Sequence, residues 1–111
     1  MLDSLDRLDS LFQALSEPAR RAILQRLSHG TASVSELAGP LDLSLAAVVQ
    51  HIQRLEDCGM IKTTKTGRVR HCELNISTLR QAESWLSERR TQWDAHIARL
   101  GTLQDDGTTD N

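Results

Sequence analysis

The chain has 111 residues, two cysteines and a formal net charge of -2, which frames one domain rather than several. With one Phe, two Trp and no Tyr, the core has to come from Leu, Ile, Val and Ala, which favours helices over a large sheet. Two cysteines are too few for a disulfide framework. No apolar run is long enough to span a bilayer, and the acidic, amphipathic N-terminus is no signal peptide, so a cytoplasmic, membrane-free setting is expected.

The charge is unevenly placed. Residues 1–16 set Asp3, Asp6 and Asp9 against Arg7, and residues 77–111 hold six acids against four Arg. The middle, 17–76, is net basic, with eight Lys or Arg against six acids. The whole-chain charge argues against a nucleic-acid partner, but phosphate binding depends on a local patch rather than on the sum.

Leu2, Leu5, Leu8, Phe12 and Leu15 recur every three or four residues and predict an amphipathic first helix. Pro18 suits the first turn of a second helix, with Ser16 or Glu17 as its cap and Gly30 as its stop. Of Arg20 and Arg21 at its start, one is expected on a phosphate and the other against a nearby acid. Ser33-Val-Ser-Glu36 has capping-box spacing and opens a short third helix to about Ala38, broken by Gly39-Pro40. Ser44 caps a fourth helix that Gly59 ends after Cys58. Two short strands then flank Thr66-Gly67 as the hairpin turn. A long last helix carries Leu79, Ala82, Leu86, Trp93, Ile97 and Leu100, and a flexible polar tail is expected from Gly101 to Asn111.

The expected fold is therefore mainly α with a two-stranded β-wing: a winged helix-turn-helix of about five helices and one hairpin, in which residues 1–100 form one DNA-binding and dimerisation domain. The fourth helix, 44–58, has an apolar inner face and an outer face of amide, imidazole and guanidinium groups that can reach base edges in the major groove. Gln50 and Gln53 can each make paired hydrogen bonds to adenine. His51 can donate or accept at a base or a phosphate. Ala46, Ala47 and Val49 are small enough to meet thymine methyls. Ser44, with the free amides of the helix start, suits a phosphate, and Arg54 either reaches a phosphate or is solvated. In the wing, 61–74, Lys65, Arg68 and Arg70 are the cation set, and Thr66 and Gly67 would let the tip approach the backbone or minor groove.

The first and last helices each carry an apolar stripe wider than a small core can cover. Two subunits laying these stripes together would bury them. Such a homodimer would present two reading helices roughly 34 Å apart, as a palindromic operator in double-stranded DNA requires. The alternative is that both helices wrap their own domain. Trp85 and Trp93 read either as aromatic filling at the dimer seam or as the lining of a cavity for a small-molecule inducer.

Phe12 to Leu24, Val34-Ser-Glu-Leu-Ala38, Ser44 to His51, Leu55 to Ile61 and Gly67 to His71 together resemble the ArsR/SmtB family of winged-helix repressors, in order and spacing over about residues 8–80. The resemblance implies a homodimer that occupies an operator and is released by an inducer, often a metal ion. It also implies a polar residue where Val49 stands. The family's thiolate site aligns with Ser33 and Ser35, and its zinc site with Ile76, Thr78, Arg89 and Gln92. None of these is a good ligand at neutral pH, so no metal or other cofactor is expected. Asp94-Ala-His96 lies out of register with that pattern and reads as a solvated face. Cys58 and Cys72 could form a redox switch at the wing, or be small buried hydrophobes.

A rival reading is a winged-helix protein-interaction module that has lost DNA. An enzyme is not expected, because no phosphate loop, nucleophile-base pair or complete metal set is visible.

Overall fold

Leu2 to Leu15 form α1, followed by α2 (Pro18–Leu27), β1 (Ala32–Ser33), α3 (Val34–Ala38), a 3-10 turn (Gly39–Leu41), α4 (Leu45–Asp57), β2 (Ile61–Thr66), β3 (Val69–Leu74) and α5 (Ile76–Gln104). This is a computed structural model describing residues 2–104, and the side chains of residues 7–101. Two compact units result, the first ending at Leu79 and the second beginning at Arg80. Among the described residues, no helix is long and apolar enough to cross a membrane.

The first unit is built on Leu11, Ile23, Val48, Ile52, Leu55, Met60, Ile61 and Cys72, all essentially inaccessible to solvent. The aliphatic core expected from the composition is thus what α1, α2, α4 and the sheet enclose. Pro18 opens α2, and of the two residues expected to cap it, Glu17 holds the cap position in an extended conformation without a side-chain capping bond. Ser33 and Glu36 do form the reciprocal capping box: Ser33 N donates to Glu36 Oε1 at 2.8 Å and Glu36 N donates to Ser33 Oγ at 3.1 Å. The Ser33 backbone N–H, and after it the Ser33 side chain, hold the Glu36 carboxyl below its ordinary value of 4.5. This contribution is present above the usual carboxylate range and is lost as pH falls through the lowered value.

The route into α4 turns on Asp42, whose φ of 54° is the left-handed conformation that Asp tolerates better than most residues. Ser44 then caps α4, its Oγ accepting from Ala47 N at 3.1 Å. At the other end Met60 N donates to Leu55 O at 2.9 Å and Gly59 N to Glu56 O at 3.0 Å, the paired bonds of a Schellman motif. Gly59 has φ +85° there, and a Cβ would stand 3.3 Å from Thr78 Oγ1. Gly59→Ala is therefore expected to cost about 1–2 kcal/mol from the backbone alone, read as a lower midpoint in urea unfolding with an unchanged slope.

The sheet has three antiparallel strands in the order β1-β3-β2. The β2–β3 hairpin is the expected two-stranded wing, and β1 adds a third strand to the sheet that the sequence did not indicate: Ala32 pairs with Cys72 and Ser33 with His71. In the hairpin, Ile61 pairs with Leu74, Thr63 with Cys72, Lys65 with Arg70 and Thr66 with Val69. The turn is therefore Gly67-Arg68, one residue later than expected, and Thr66 closes β2. Gly67 has φ 63°, and glycine in the first central position is what a two-residue II′ turn uses. At the far end, α5 runs on through Gly101 to Gln104, where a tail was expected to begin. The rest of that tail, 105–111, lies outside the described residues.

Candidate nucleic-acid interface

Val48, Ile52 and Leu55 are the buried line of α4. With 3.6 residues per turn, that line turns Ala46, Gln50, Gln53 and Asp57 to the opposite side, and all four are exposed. Ser44 and Arg54 are exposed too, and Ala47 is half-buried. Val49 is 46% exposed, and Leu45, which the sequence did not single out, is 56% exposed. They stand four residues apart on one flank of α4. The helix thus offers amides in the middle of its outer face and apolar groups beside them.

Two of the expected reading residues already have partners. Gln53 Nε2 donates to Asp57 Oδ1 at 2.9 Å, which engages one of its two amide N–H donors and ties the side chain along the helix. His51 is half-buried, with its Nδ1 3.3 Å from Arg20 Nη1. The acid expected beside one of Arg20 and Arg21 is replaced by backbone carbonyls. Arg20 is only 7% exposed; its Nε donates to Ala14 O at 2.7 Å and its Nη2 to Gln13 O at 3.3 Å. Arg21 Nη1 donates to Leu15 O at 2.6 Å. Arg20 and Arg21 thus satisfy the Ala14 and Leu15 carbonyls at the end of α1, while Gln13 O also accepts from Ser16 N at 3.1 Å, and among the described residues neither arginine pairs with a carboxylate.

Strand alternation decides the faces of the wing. Ile61, Thr63 and Lys65 share a side with Leu74, Cys72 and Arg70, and that side begins in the core, where Ile61 and Cys72 are buried. Glu56 of α4 links this side to the helix: Thr63 Oγ1 donates to its Oε2 at 2.8 Å, and Arg70 Nη1 lies 3.9 Å from its Oε1. The ion pair is partly exposed and so worth little by itself, but it places Arg70 beside α4. Lys65 and Arg68 are exposed, and among the described residues neither forms an ion pair.

Burial pushes the thiols of both Cys58 and Cys72 up from their ordinary range, which keeps them protonated and slow to react at neutral pH. Cys58 Sγ donates to Leu55 O at 3.4 Å, and Cys72 packs in the sheet between Ala32 and Thr63. Among the described residues no group of three or more His, Cys, Asp or Glu could hold a metal ion. In the second unit, Arg89 lies over the Trp85 ring at 4.8 Å and Trp93 meets His96 at 5.4 Å, so the two indoles have different neighbours.

A helix with a polar outer face, entered through a short helix and a turn and flanked by a cation-bearing hairpin, is the arrangement of winged helix-turn-helix DNA-binding proteins. A helix-turn-helix domain family matches residues 15–64. The HTH-type transcriptional regulator Rv2034 of Mycobacterium tuberculosis is 33% identical over 100 residues, which cover 90% of this chain and 94% of that protein. The transcriptional repressor SdpR of Bacillus subtilis is 25% identical over 79 residues, 71% of this chain and 88% of that one. The crystal structure of an ArsR family transcriptional regulator superposes with a TM-score of 0.76 at 48% identity, covering 79% of this chain and 97% of the other. The chain belongs to the ArsR family of transcriptional regulators, which favours DNA reading over a winged helix turned to protein partners.

Proposed function

We propose that this chain is a repressor that binds a palindromic duplex as a homodimer, with α4 in the major groove and the β2–β3 wing along the backbone or minor groove. The carrying observation is the exposed outer face of α4, with Ala46, Gln50 and Gln53, beside Lys65, Arg68 and Arg70. Ser44 and Arg54 extend that surface toward phosphates, Ala47 and Val49 toward thymine methyls, and Thr66 and Gly67 bring the wing tip close. The repressive sense follows the relative named as a transcriptional repressor. The dimer rests on the second unit, where Leu86, Trp93, Ile97 and Leu100 are each 43–60% exposed along one helix; the first helix is its proposed companion. An unpartnered stripe of this kind is what an isologous interface covers.

Footprinting on DNA upstream of the chain's own coding region tests the proposal. Two protected half-sites one turn apart, with salt-dependent affinity, are expected. Indifference to duplex DNA at low salt would overturn it. Within this reading Asp57 opposes phosphate and occupies Gln53, so Asp57→Ala is expected to tighten binding roughly fivefold at low salt, with the gain shrinking as salt rises. Parallel titrations at two salt concentrations check this.

A further inference from the structure

We propose that Arg20 is a positioning residue for DNA reading: it fixes the proton of His51 on Nε2, so that His51 meets DNA only as a hydrogen-bond donor. This rests on the DNA-binding reading above. The guanidinium has five N–H donors and no acceptor. Its contact with His51 Nδ1 at 3.3 Å is therefore a hydrogen bond only when that nitrogen carries a lone pair, which leaves the proton of the neutral ring on Nε2.

The fork cannot readily turn away to accommodate the other tautomer. Arg20 is 7% exposed, with Nε on Ala14 O at 2.7 Å and Nη2 on Gln13 O at 3.3 Å. Two carbonyls at the end of α1 thus orient the group that orients His51. Among the described residues Nε2 has no hydrogen-bond partner of its own. An imidazole held this way suits acceptors, meaning purine N7, guanine O6, thymine O4 or a phosphate oxygen, and cannot accept from cytosine N4 or adenine N6. His29 supplies an internal contrast, because its Nδ1 lies 3.1 Å from Gln25 O and so has to carry the proton to bond there.

The experiment pairs ring-nitrogen NMR with DNA binding on the full chain. In the neutral state, the His51 spectrum is expected to show an unprotonated Nδ1 and a protonated Nε2. Arg20→Gln should return that ring to mixed tautomers. Because Arg20 is buried and its loss could unfold the protein, His51→Asn and His51→Gln carry the binding arm. Asn keeps an acceptor near the Nδ1 position but its NH2 stops short of the Nε2 position, whereas Gln places an amide there. His51→Asn is expected to fold with unchanged thermal stability yet bind its operator roughly tenfold more weakly, with His51→Gln recovering much of that loss. Loss of the wild-type advantage on 7-deazapurine duplexes identifies a base acceptor, and loss on methylphosphonate duplexes identifies a phosphate; either supports the proposal. A protonated Nδ1 in the wild type, or wild-type affinity in His51→Asn, overturns it while leaving DNA binding standing. A wild-type chain that binds no duplex overturns both.

Discussion

Replacing Lys65, Arg68 and Arg70 together with Ala is expected to weaken binding to every duplex tested and to flatten its dependence on salt. Each phosphate left without its cation removes about 0.9 from the slope of log affinity against log salt, so the slope should fall by about 2 to 3. Stability should hardly move, because all three side chains are exposed and the single ion pair among them, Arg70 with Glu56, is of the weak kind. Arg70 should contribute least to the slope, since Glu56 competes for it. Arg68→Ala alone should accordingly remove a full phosphate's share, and Arg70→Ala less. An unchanged slope in the triple variant would take the wing out of the interface.

Trp93→Glu combined with Ile97→Glu is expected to leave a folded monomer whose affinity for the operator is lower by about a hundredfold or more. Trp93 is 60% exposed and Ile97 45%, and the two stand one turn apart on α5. Carboxylates there would face each other across a two-fold axis. The first unit, with its own core, should keep its structure. What disappears is the tethering that makes engagement of a second half-site intramolecular, which ordinarily contributes a factor of about 10² to 10⁴. Sedimentation equilibrium and operator titration check both parts. A double variant that remains dimeric would move the interface away from this stripe.

The parts of the fold that were legible in the sequence are those whose causes are local. The Ser33 to Glu36 capping box, the Ser44 cap, the Gly59 stop and the outward amides of α4 each depend on residues within a turn of one another. The hairpin is visible too, but the sequence puts its turn one residue early, because Thr66-Gly67 and Gly67-Arg68 differ only in which strand the glycine borders. β1 is invisible for a different reason: two residues carry no periodicity, and their pairing is with β3, some forty residues on. Of the site, the set of cations and amides can be read, but their engagements cannot. Gln53 with Asp57 is the exception, since it has the spacing of a helix pair. Glu56 with Thr63 and Arg70, and Arg20 with His51, join residues that only the folded chain brings together.

The two-residue tip of the hairpin leaves the ribbon no slack. Thr66 faces Val69 directly, so adding or deleting a single residue in one strand would slide every downstream pair by one. Side chains alternate strictly along a strand, and such a slip reverses the faces of the altered strand: with a residue added to β2 next to the turn, Lys62 and Thr64 would be turned toward α4 and Thr63 and Lys65 away from it, while β3 keeps its pairing with β1. Viable length variants of this ribbon should therefore differ by even numbers of residues, added symmetrically about Gly67 and Arg68.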